Sequence, residues 1–117
     1  MSIKGRIGFY TITPVGELEA TARAISVALG VDLRRDQSGD YEEFPAFVAS
    51  ASALQFALLG NPKPADDFRD HPTDDFELQV SVIEDRLGYE TTGKIDEFIL
   101  SNLRAKGVVV TGNGWGT

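Results

Sequence analysis

From Phe76 to Val82 the chain alternates without a break. Phe76, Leu78, Val80 and Val82 fall on one side, and Glu77, Gln79 and Ser81 on the other. A period of two is a strand with one dry face and one wet face, and a wet face places it in an antiparallel sheet. Two other segments switch to the helical period. Leu18, Ala22, Ile25 and Leu29 recur at steps that share one helical face, and Ile95, Phe98, Ile99 and Leu103 do the same. The first pattern predicts a helix over Pro14 to Leu29, with Thr13 as its cap, Pro14 at the first helical position and Gly30 as a left-handed stop. The second predicts a helix over Thr92 to Lys106, capped by Thr91 or Thr92 and ended at Gly107.

The remaining apolar runs read as strands. Ile7 to Thr13 is rich in β-forming residues. VDLRRDQSGDYEEFPAFVAS predicts two strands joined by a turn at Ser38 and Gly39, with Pro45 marking an edge strand or a strand start. Between Ala51 and Leu59, alternation of Leu54, Phe56 and Leu58 favours a strand, while the alanine content also fits a short helix. Val108 to Val110 predict a short last strand buried on both faces, and Gly112, Gly114 and Gly116 a flexible tail. The expected core includes Leu18, Ile25, Leu29, Phe56, Leu78, Val80, Phe98, Ile99 and Val109. The order β-α-β-β-β-β-α-β predicts an α+β fold: a mostly antiparallel sheet with two helices packed on one face. The 117 residues suit one globular domain, 1–117, large enough for a core without disulfides or metals.

Charge changes the picture more than composition does. The net charge is −7, and there is no cysteine. An acidic surface repels nucleic acid and anionic membrane, and it attracts cationic proteins and speeds their encounter. The absence of cysteine removes thiol nucleophiles and thiolate zinc sites. No run has the length of a transmembrane helix, and MSIKGRIGFYTIT lacks the apolar stretch and cleavage site of a signal peptide, so the expected compartment is the cytoplasm.

The acidity concentrates in two places. NPKPADDFRDHPTDDFE, Asn61 to Glu77, sets Asp66, Asp67, Asp70, Asp74, Asp75 and Glu77 against Lys63 and Arg69, which is more than half of the net charge. Pro62, Pro64 and Pro72 block regular structure there, so it reads as a long, stiffened surface loop. Its carboxylates come as adjacent pairs with no following glycine, unlike a calcium loop. One histidine without cysteine is a poor transition-metal set, and no Ser, Lys or second His stands beside His71 to complete a catalytic group. His71 therefore reads as an exposed loop residue, and no metal, cofactor or catalytic residue is expected. The second cluster, Asp36, Asp40, Glu42 and Glu43, surrounds Tyr41, which is acid flanking an aromatic anchor. Trp115 either folds back over the core edge or, like Phe68, anchors a partner.

In size, acidity, α+β content and lack of cysteine the chain resembles bacterial immunity proteins, which neutralise a toxin by occluding its basic, nucleic-acid-facing site. The resemblance lies in the whole-chain profile, and no residue is carried over from it. It implies a cytoplasmic inhibitor, not an enzyme, that binds a cationic nuclease-type toxin domain and touches neither nucleic acid nor membrane. The expected partner surface is Asp36, Asp40, Tyr41, Glu42, Glu43, Asp66, Asp67, Phe68, Asp70, Asp74, Asp75 and Trp115. Two alternatives stand beside it. One is a small dimeric enzyme or small-molecule binder using His71, Tyr10 and Tyr89. The other is a phage or virion assembly subunit.

Overall fold

A computed structural model describes residues 4–38, 41, 44–51, 53–61, 74–84 and 92–116. The elements follow the expected order: β1 (Ile7–Ile12), α1 (Leu18–Leu29), β2 (Arg34–Arg35), β3 (Ala46–Ala51), β4 (Leu54–Leu59), β5 (Phe76–Val82), α2 (Thr92–Ala105) and β6 (Val110–Gly116). The strands form one six-stranded sheet in the order β2-β3-β4-β5-β1-β6, and every pair is antiparallel. The fold is α+β.

Register explains the layering. Phe47, Leu58, Leu78 and Tyr10 lie in one row across the sheet, and Ala49, Phe56, Val80, Gly8 and Trp115 in the next. Both rows face the same side. Ile25 and Leu29 of α1 and Ile95, Ile99 and Leu103 of α2 join that side in a single buried cluster. Each of these side chains removes apolar surface from water, worth about 1.5–3 kcal/mol when burial is complete. Both described helices therefore cover one face, and among the described residues the opposite face carries no helix.

The alternation at Leu54 to Leu59 resolves as strand β4, and Pro45 immediately precedes the start of β3. Gly30 and Gly107 end their helices with φ of 69° and 77°, the left-handed geometry that glycine tolerates without strain. Five expectations need correction. Helix α1 begins at Leu18, not Pro14, because the Thr13 amide donates to the Val109 carbonyl at 3.0 Å and Gly16 turns at φ 74°. Thr21 serves the helix start instead: its hydroxyl accepts from the Val15 amide at 2.8 Å and donates to the Glu17 carbonyl at 3.0 Å. The strand before the Ser38 turn shrinks to Arg34–Arg35, and the described residues between it and β3, 36–38, 41, 44 and 45, are not strand. Val109 is 54% exposed and Val108 takes the core position, since the chain enters β6 only at Val110. Leu18 and Phe98, expected inside, pack half-buried against the core.

The last correction concerns the glycine-rich end. It is the strand β6, paired along β1 from Ile7↔Gly116 to Ile12↔Val110. The Trp115 ring lies over Gly8, its cross-strand partner, where a Cβ would stand 2.5 Å from Trp115 Cε2. Only glycine leaves room for the indole. Gly8→Ala should therefore lower the unfolding free energy by about 1–3 kcal/mol through overpacking. In a urea-denaturation double-mutant cycle, adding Trp115→Ala should make the two losses markedly less than additive. Additive losses would mean that the ring and Gly8 do not compete for one space.

Candidate functional site

The helix-free face divides into two parts. Toward β3 it is apolar: Ala46, Ala57 and Leu59 are buried, with Tyr41, Phe44 and Val48 packed on them. Toward β5 and β1 it turns polar, because Glu77 and Gln79 stand where the opposite face has Leu78 and Val80. At the boundary lies a hollow of about 230 Å³ lined by Phe44, Leu59, Gly60, Asn61, Asp75, Glu77 and Gln79. The Gln79 amide donates to Glu77 Oε2 at 2.8 Å and so fixes one carboxylate in the wall. Asp75 and Glu77 are both half-buried. Two carboxylates against an aromatic ring form a seat for one guanidinium or ammonium group, through charge-assisted hydrogen bonds and a cation–π contact.

Phe44, which follows the first acidic segment, lines the hollow with Asp75 and Glu77 of the second, while Tyr41 packs on the apolar part of this face. Asp74 is exposed next to Asp75 in the chain. Asp36 begins the first segment, and its carboxylate accepts from the Ser38 amide and hydroxyl at 3.2 and 2.9 Å. Asp40, Glu42, Glu43, Asp66, Asp67, Phe68, Asp70 and His71 lie outside the described residues, as does Tyr89. Phe44, Leu59 and Gln79 were not singled out in the sequence. The partner anchor signal there was an aromatic beside acid, and Phe44 after Glu42 and Glu43 carries the same signal as Tyr41. Beyond the hollow, the row Gln79, Phe9 and Gly114 continues across the face, with Phe9 40% exposed.

Trp115 lies on the other face, in a polar cluster under the end of α2. Its Nε1 donates to the Tyr10 hydroxyl at 3.0 Å and to Asp96 Oδ1 at 3.3 Å. The Tyr10 hydroxyl donates to the same Asp96 oxygen at 2.7 Å, and the Asn113 amide does so at 3.0 Å. Tyr10 and Trp115 meet edge to face with centroids 6.5 Å apart. Tyr10 has no exposed surface. Burial, and then the hydrogen bond to the Asp96 carboxylate, raise its hydroxyl pKa far above the usual tyrosine value. A phenol so held stays protonated at neutral pH and is sealed from substrate, so the cluster ties β1, β6 and α2 together.

No family model, curated protein or solved structure matches this chain. Among the described residues no group of three or more His, Cys, Asp or Glu side chains could hold a metal ion, and no described helix is long and apolar enough to cross a membrane.

The Tyr10 cluster gives a pH signature. A phenol with a raised folded pKa contributes stability that is whole below the unfolded value of about 10 and is lost as pH rises above it. Stability measured by urea denaturation should fall with increasing pH above that point. Tyr10→Phe should flatten this dependence and cost about 1–2 kcal/mol at neutral pH, by leaving Asp96 and Trp115 short of a partner. An unchanged alkaline slope in the variant would contradict the assignment.

Proposed function

We propose that the chain is an acidic binding protein that neutralises a cationic protein partner, in the manner of an immunity protein blocking a nuclease-type toxin. The observation that carries this reading is the hollow on the helix-free face, where Asp75 and Glu77 of one acidic segment meet Phe44, the residue that follows the other. It joins a hydrophobic wall to paired acids, which is the composition of a seat for an arginine or lysine anchor. The net charge of −7 adds long-range steering toward such a partner. The described lining contains no Ser, Thr, Tyr, Lys or His, which favours recognition over hydroxyl or amine nucleophilic chemistry. At about 230 Å³ the hollow is also smaller than the roughly 300–1,000 Å³ of small-molecule sites. It fits one side chain of a larger partner better than a whole ligand.

Affinity capture from the native host, followed by reconstitution with the purified protein recovered, tests this reading. The partner should be basic, and its nucleic-acid cleavage should stop at stoichiometric complex. Asp74→Asn with Asp75→Asn should slow association about ten-fold at low salt, with the difference shrinking as salt screens the charges. Folding stability should move by less than about 1 kcal/mol, since Asp74 is exposed, Asp75 is only half-buried, and such charges contribute little to it. A partner that stays fully active in the complex, or an association rate indifferent to both substitutions, would sink the proposal.

A further inference from the structure

Strand β6 is a sheet edge, and among the described residues nothing pairs with its outer side. The opposite edge, β2, has two residues, whereas β6 has seven. Long edges are ordinarily blunted by proline, lysine, a bulge or a covering element. VTGNGWG contains no proline and no charge, and the single register irregularity of the β1–β6 pair lies at Thr11/Ile12, near its start. Among the described residues no backbone group outside the sheet bonds to Val110–Gly116. Its glycines add a second anomaly. Gly114 and Gly116 do not have positive φ, and a Cβ on either would meet nothing within 4 Å. Nothing among the described residues requires glycine there, and glycine weakens a strand that has only one neighbour among them.

We propose that β6 pairs antiparallel with β6 of a second copy about a twofold axis at Asn113, joining two six-stranded sheets into one. The strand is suited to its own copy. With Asn113 on the axis, Gly112 stands opposite the second copy's Gly114, and Thr111 opposite its Trp115. Facing residues then share one side of the sheet, and a β-branched residue meets an aromatic, a favourable cross-strand pair. Charge selects the same occupant: in a chain of net charge −7, β6 is an uncharged strip along which two copies meet without local repulsion. An isologous pair of this kind puts both helix layers on one side and both acidic hollows on the other. The interface is narrower than the standard 1,200–2,000 Å², so the dimer is weak and concentration-dependent.

Size-exclusion chromatography with light scattering, from micromolar to millimolar protein, tests this. The mass should rise from 12.7 kDa toward twice that value as concentration increases. Asn113→Lys puts two like charges on the axis while keeping a donor toward Asp96, and Gly114→Lys enters open space. Both should remain monomeric where the native chain dimerises, with unchanged far-ultraviolet circular dichroism. Val27→Lys, at a 70% exposed position on α1, should dimerise like the native chain. A native chain that stays monomeric at millimolar concentration, or a dimer that persists in folded β6 variants, overturns the proposal.

Discussion

A six-stranded sheet has two faces, and the described residues supply two helices, both to the same one. The rest of the structure follows from that imbalance. On the covered face, apolar side chains at alternate positions of β1, β4 and β5 meet Ile25, Ile95, Ile99 and Leu103 in one buried cluster. On the other face the same strands must end in water or find smaller cover. Tyr41 and Phe44 provide that cover over Ala46, Ala57 and Leu59. Where the cover stops, Glu77 and Gln79 take over, and the hollow opens between the two regimes. The candidate site is thus a boundary made by the fold, where hydrophobic and acidic surfaces adjoin.

The covered face also needs closing at its β6 end, where α2 meets a strand poor in side chains. The cluster of Tyr10, Asp96, Asn113 and Trp115 does this with one carboxylate oxygen accepting three hydrogen bonds. The indole reaches it only because Gly8 leaves the β1 backbone bare. A buried polar group of this kind is stable when every member is satisfied and costly when one is removed. It makes β6 part of the domain.

What could be read from the sequence was local. Strand β5 was legible because its period of two is uninterrupted, and the two helix ends because Gly30 and Gly107 adopt the left-handed geometry their positions suggest. The start of α1 misled because Thr13 and Pro14 satisfy the local rule for a helix start, while the Thr13 amide is claimed by Val109 from the far end of the chain. Strand β6 was hidden because glycines carry no strand signal of their own; the edge of β1 recruits them. The acidic half of the site, Asp75 and Glu77, was visible as charge density. Its hydrophobic half, Phe44 and Leu59, comes from separate segments that only the sheet register brings together.

The central claim is that the helix-free face recognises a cationic side chain at this boundary. Backbone amide chemical-shift mapping with a short arginine-rich peptide tests it most directly, with a glutamate-rich peptide of equal length as control. The account predicts saturable shifts centred on Phe44, Leu59, Asp75, Glu77 and Gln79, with none of that pattern from the control. Shifts spread evenly over the acidic surface, or confined to the outer sides of α1 and α2, would contradict it.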